Sequence, residues 1–553
     1  MRRRTITRLL ASLTLIGAAP VDRSARFDWF EYSGTDGAPV PAGSYRNPVL
    51  AGYYPDPSVT RVGDDFYLVN STFSWFPGIP IFHSRDLVHW RQIGNAIDRP
   101  TQLDFARLGM SRGIFAPDIS YHAGRFYIVT TCVDCGGNFV ITAKDPRGPW
   151  SDPVLLPSVE GIDPSLFFDD DGTAWIVNNR APIGKPRYDG HRALWVERFD
   201  PVALKMLGSP TMIVDGGVDP AARPVWIEGP HIFRFDGKYY LTAAEGGTAV
   251  AHSQVVFRAD RPDGPYRPAP AGVNPILTQR DLDPARAAPI TSAGHADLVQ
   301  LANGDWWATF LATRPYEGDL YNTGRETFLL PVTWRDGWPT ILPHGQPIPQ
   351  IARAPKLPRG PAAPPMTGSF SVRDGFDGTV LGREWMTMRA TATPRWRFGG
   401  GALSIVPGEA IGAHGHPAFV ARRQAHRDAV VTTSVTFDPA ESSEAGLAAV
   451  QDDDHFLGVG LTRDRGKRAV RAFARAAPGE PAIGRTLALV PLASTGPIRL
   501  RVTARGGRYD LDYALARGGW RTVAHDVDGT ILSTARAGGF TGTMIGPFAR
   551  AAR

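Results

Sequence analysis

The chain has 553 residues, 43% hydrophobic and 21% charged, with a formal net charge of +6. That length and composition fit a globular chain of two to four domains and exclude a disordered or collagen-like one. The basic residues are mostly single arginines spread over both halves, with no Lys/Arg run after Arg4. A solvated surface is therefore expected, with no nucleic-acid or membrane partner.

Residues 1–19 open with Arg2, Arg3, Arg4 and Arg8, continue through an apolar run from Leu9 to Ile16, and close on Gly17, Ala18 and Ala19. This order of basic, apolar and small residues predicts a signal peptide and hence a periplasmic or secreted protein. The apolar run is too short to span a bilayer. Residues 20–44 form an N-terminal segment ahead of the first repeat.

From Tyr45 the chain repeats one pattern five times, in the stretches that begin at Tyr54, Phe115, Ile162, Trp226 and Gly294. Each has a polar residue beside Pro or Gly, an alternating apolar run, a tight turn on Asp, Asn or Gly, and an aromatic residue leading a second apolar run. Each predicts a hairpin. Aligning the aromatic anchors Tyr67, Tyr127, Trp175, Tyr240 and Trp307 puts Asp56, Ala116, Asp163, Glu228 and His295 at equivalent strand starts, 47 to 67 residues apart. Intervals of that size are those of four-stranded propeller blades, so residues 45–351 are expected to form a five-bladed β-propeller.

In a propeller the innermost strands start at the mouth of one axial channel. Four of the five starts then aim a polar side chain at a shared space, and three of those are carboxylates. A single Asp-Pro step is ordinarily a turn that bonds its own backbone. Three acids at equivalent positions instead predict a site, because their mutual repulsion has no structural use. Asp118, two residues beyond the alanine start, is expected to be structural. Phe73 and Phe115 are candidates to form an apolar wall against a sugar ring, with blade packing the expectation for at least one of Phe73, Trp75 and Phe76. The two cysteines, Cys132 and Cys135, allow a redox pair, half a zinc site or a local disulfide; export favours the disulfide.

Residues 352–368 are Pro-rich and predict a semi-rigid linker. Beyond them, stretches such as "DAVVTTSVTF" and "IRLRVTARGGRYDLDYAL" alternate with period two between Gly-rich turns. Residues 369–553 therefore predict a β-sandwich, and the fold class is all-β throughout. "QDDDHF", residues 451–456, is expected to be either a loop that closes the pocket or an exposed turn.

The blocks "YYPDPSV", "STFSWFPGIPIFHSRDLVHW", "GIFAPDISYHAGRFY", "GIDPSLFFDDDG", "EGPHIFRFDGKYYLTAAEGGT", "GHADLVQ" and "GRETFLLPVTW" resemble glycoside hydrolase family 43. The resemblance is to the β-xylosidase and α-L-arabinofuranosidase branch with a concanavalin A-like C-terminal domain. It implies an exo-acting, inverting hydrolase that takes a terminal pentose from a small oligosaccharide. It further implies Asp56 as general base, Glu228 as general acid and Asp163 as the group that tunes the acid. His295, Arg325 and Phe73 fall near the substrate, and Phe115 stands where relatives often carry Trp. Arg325 is expected to hold Asp163 ionised or, more simply, to pair with Glu326. No cofactor is required; a structural calcium near His295 is compatible with the resemblance. A non-catalytic carbohydrate-binding propeller and an arabinanase-like endo-hydrolase are the alternatives. The acid chemistry agrees with the resemblance, since inversion needs one protonated and one ionised carboxyl on opposite sides of a sugar.

Overall fold

The computed structural model describes residues 24–37 and 39–552. The predicted signal peptide lies outside them. Five antiparallel blades follow one another along the chain. Their innermost strands are Ser58–Val62, Asp118–His122, Ile162–Phe168, Glu228–Phe235 and Thr291–Gln300. These five strands touch in ring order and enclose the axis.

Each seam between neighbouring blades holds its own apolar cluster. The five aromatic anchors are distributed one to a seam: Tyr67 between blades one and two, Tyr127 next, then Trp175, Tyr240 and finally Trp307 between the fifth and the first. A side chain of this kind contributes about 1.5–3 kcal/mol by leaving water. The repeat legible in the sequence is thus the repeat of the seams. Ser44–Arg46 pairs antiparallel with Ile351–Arg353, and Asn47 exchanges hydrogen bonds with Leu329, so the two ends of the ring are laced together.

The second domain is a sandwich of two eight-stranded sheets. Both sheets borrow strands from outside residues 369–553. Ala25–Thr35, in the segment given no role above, lies inside one sheet, pairing with Asp428–Thr436 on one side and with Leu403–Ile405 and Phe370–Asp374 on the other. Its near-alternating burial places Phe27, Phe30 and Tyr32 in the sandwich core. Trp75–Phe76, from the first blade, extends the edge of the other sheet by pairing with Met386–Met388. Trp75 is accordingly a domain-interface residue, fully buried and edge-on to Phe419. The Pro-rich linker is laid against the propeller, with Ala354, Leu357 and Met366 packed on the seam between the fifth and first blades and Ala51 N–H bonding Met366 O at 2.9 Å.

Candidate active site

The strand starts point inward because the ladder is broken there. In blades three, four and five the register shifts between Ile162 and Ser165, between Glu228 and His231, and between Gly294 and Asp297. A bulge of this kind re-aims the side chain beside it. The backbone takes positive φ at Asp56 (52°), Asp163 (53°) and His295 (53°), a region that costs a non-glycine residue of order 1 kcal/mol or more and is held only by its surroundings. In the fourth blade the positive φ falls one residue later, on Gly229 (54°), where a Cβ would stand 2.7 Å from the His295 ring. Glycine is required at that position.

All five strand-start residues line one pocket of about 380 Å³ together with Phe73, Phe115 and Arg325. Every site residue expected from the sequence is therefore in one place. Asp56 accepts from Arg325 Nη1 at 3.0 Å and from the Ser71 hydroxyl at 2.5 Å. Burial pushes the Asp56 carboxyl up, but Arg325, His295 and Ser71 together outweigh it and hold it below the usual range. Glu228 is driven the other way. Burial first, and then the charge of Asp163, push it up to about 8. Asp163 accepts the Gly229 N–H at 3.3 Å and lies 3.6 Å from His295 Nε2. Burial opposes a charge on His295, yet Asp163, Asp56 and Glu228 raise it to about 9. At neutral pH the pocket thus holds one protonated carboxyl, one firmly ionised carboxylate and an imidazolium.

Arg325 differs from both expectations. It pairs with Asp56, whereas Glu326 is bound by Arg314 Nε at 2.6 Å. Its guanidinium also lies over the rings of Phe73 and Phe540, at 5.8 and 5.4 Å. Asp118 ties three blades together, accepting from Ser58 Oγ and Ser120 Oγ and from the Leu166 N–H. Behind His295 stands His252, fully buried, held by Ser292 O and pushed down to about 4 by burial.

Several residues of the site escaped the sequence reading. Ser71 binds Asp56. Arg112 lines the pocket from the connection between the first two blades. Phe540 comes from the sandwich, stacks on Phe73 at 5.6 Å and meets Phe115 edge-on at 5.8 Å. Its N–H donates to Ser111 Oγ at 2.8 Å, and Gln451 Nε2 donates to the neighbouring Thr541 O, also at 2.8 Å. Residues 451–456 therefore do not line the pocket; Gln451 secures the loop that does, while Asp453 is taken by the buried Arg389 at 2.7 Å. The only local signal for Phe540 is an aromatic residue in a Gly-rich turn, which many surface loops share. Cys132 and Cys135 are joined as a disulfide at the turn of the second-blade hairpin.

The surroundings of His295 fit calcium poorly. Its Nδ1 is buried without a hydrogen-bond partner among the described residues, and the residue borders a void of about 10 Å³ shared with Asp118 and His231. That is room for about one water. Among the described residues, the one group spaced to hold a metal is Asp118, His231 and Asp297. Its carboxylate oxygens already accept from Ser58, Ser120, Val59, Leu166 and Leu298. Calcium takes six to eight oxygens, and the described residues provide no such shell of protein oxygens there.

An ionised and a protonated carboxyl facing one small pocket are the pair that glycoside hydrolysis needs. The chain belongs to glycosyl hydrolases family 43: the model of that family matches residues 45–339, and that of the beta xylosidase C-terminal concanavalin A-like domain matches residues 373–552. It is 37% identical over 512 residues to a xylosidase/arabinosidase of Butyrivibrio fibrisolvens, covering 91% of this chain and 95% of the relative. It is 36% identical to a non-reducing end alpha-L-arabinofuranosidase of Bacteroides ovatus, covering 92% and 91%. Among solved structures, a family 43 subfamily 12 protein retrieved from a capybara gut metagenome superposes with a TM-score of 0.88 at 38% identity, covering 95% of this chain and 99% of the other.

Proposed function

We propose that this glycosidase releases a single terminal pentose, α-L-arabinofuranosyl or β-D-xylosyl, from small oligosaccharides with inversion at the anomeric carbon. The observation that carries the reading is the opposed titration of Asp56 and Glu228 in one pocket. Asp56, ionised and oriented by Arg325 and Ser71, takes a proton from water as that water attacks the anomeric carbon. Glu228 gives its proton to the departing glycosidic oxygen. Asp163 keeps Glu228 protonated by like-charge repulsion and is itself held by the Gly229 N–H and His295. Phe115 and Phe540, both partly exposed, offer apolar surface to the sugar ring, backed by the buried Phe73. The aromatic wall supplied by the second domain favours a pocket over an open cleft, and hence exo action over the endo alternative. The raised Glu228 favours turnover over mere binding. The basic and apolar start of the chain supports export.

Hydrolysis of matched p-nitrophenyl α-L-arabinofuranoside and β-D-xyloside tests the activity and ranks the two sugars. Proton NMR of the first-formed anomer tests the stereochemistry, and retained configuration would exclude attack by an Asp56-activated water. Glu228→Ala should lose far more activity on an oligosaccharide than on the p-nitrophenyl substrate, because a good leaving group needs little protonation.

A further inference from the structure

The five strand starts and the aromatic wall account for the sugar that is cut off, but the pocket extends past them to Trp226, Arg112 and Thr248. Glu228 must protonate the glycosidic oxygen, so the leaving portion of the substrate lies on its side of the pocket. Trp226 is two residues before Glu228, lines the pocket and is 38% exposed, against 2% for Tyr240 and 6% for Trp307 in the seams. It is nonetheless held firmly. Its backbone N–H donates to Gly190 O at 2.9 Å, and the Arg192 guanidinium covers its ring at 4.9 Å. Arg192 is in turn fixed by Asn179 Oδ1 at 2.8 Å.

Arg112 is organised in the same way. Its Nε and Nη2 grip Asp134 at 2.6 and 3.0 Å. Asp134 sits between the two disulfide-linked cysteines, in left-handed backbone (φ 66°). Nη1 makes no hydrogen bond to the described residues, and Arg112 lines the pocket.

We propose that Trp226 and Arg112 form the leaving-group subsite, and that its ligand is the second, uncharged sugar of an oligosaccharide. Trp226 stacks on the C–H face of that ring, and Arg112 Nη1 donates to one of its hydroxyl or ring oxygens. This rests on the proposed glycosidase reading, because the position of Glu228 fixes which end of the pocket faces the leaving sugar.

The decisive comparison is between an oligosaccharide and the corresponding glycosyl fluoride, which places no sugar in that subsite. For Trp226→Ala the ratio of the two kcat/KM values, oligosaccharide over fluoride, should fall about 20-fold, and for Arg112→Ala about fivefold. Equal losses on both substrates would overturn the proposal. A binding measurement separates it from the catalytic reading. In the Asp56→Asn background, calorimetry should find the disaccharide bound several-fold more tightly than the monosaccharide, with the gap removed by Trp226→Ala. A gap that survives that substitution also overturns the proposal, whether or not the native protein turns over.

Discussion

The two sides of the pocket are built differently. The polar side, Asp56, Asp163, Glu228 and His295, is the work of one short motif repeated around a ring. The apolar side joins Phe73 and Phe115 to Phe540, whose numbers are far apart and whose domains differ. The three phenylalanines belong to one apolar cluster that also contains Trp75, Phe419 and Phe456, so this side of the pocket is the exposed end of the domain interface. The lesson is that acid–base chemistry resides in the propeller, while the boundary of the sugar pocket is set by how the sandwich docks.

Removing the charge on the polar side should do the most. Asp56→Ala should lower kcat by about 10³-fold or more on every substrate, activated ones included, since general acid–base groups contribute roughly 10²–10⁴. A kcat within tenfold of the native value, in steady-state assays on p-nitrophenyl pentosides, would break the distinction between the two sides. Phe540→Ala should act through binding instead. We expect kcat/KM to fall by about tenfold, with most of the change in KM, and the circular dichroism spectrum to be retained because Phe540 is only partly buried. A fall in kcat alone would mean that the sandwich takes part in the chemistry.

The pH profile sharpens the contrast further. Glu228 acts only when protonated, and its folded value is about 8, so activity should decline as pH rises through that region. Asp163→Asn removes the repulsion and should move the alkaline limb to lower pH, whereas Phe540→Ala should leave the limb in place. Initial rates between pH 5 and 9 distinguish the two variants.

The smallest effect is on stability. An unfolded Glu228 ionises near 4.5 while the folded one resists until about 8, so the native state loses stability as pH rises across that window. Glu228→Gln should therefore raise the melting temperature by roughly 2–4 °C at pH 7.5 and by much less at pH 5. Calorimetric scans at the two pH values check the sign, and equal shifts at both would remove electrostatics as the cause.

The propeller and the carboxylate positions were legible in the sequence because they are local and repeated. Each blade needs its own aromatic seam residue, its own turn and its own inward-facing start, so five copies of a weak signal add up. Arg325 was legible as a site residue but its partner was not. Asp163, Glu326 and Asp56 are equally plausible anions on paper, and only the packing of the fifth blade against the first selects Asp56. Phe540, Ser71 and Arg112 each occur once and follow no period. Ala25–Thr35 was not legible as a strand of the sandwich, because nothing in its own residues states that its hydrogen-bonding partners lie some 340 to 400 positions away.

By itself, then, the sequence determined the all-β class, the fivefold repeat and the set of acids that share an axis, since turn chemistry and apolar periodicity act over a few residues. The tertiary structure alone decided how far the Glu228 carboxyl is raised, which carboxylate Arg325 holds, and where the sugar pocket ends. Those outcomes depend on burial and on charges brought together from distant parts of the chain: the first two arise when the propeller ring closes, the third when the sandwich docks on it.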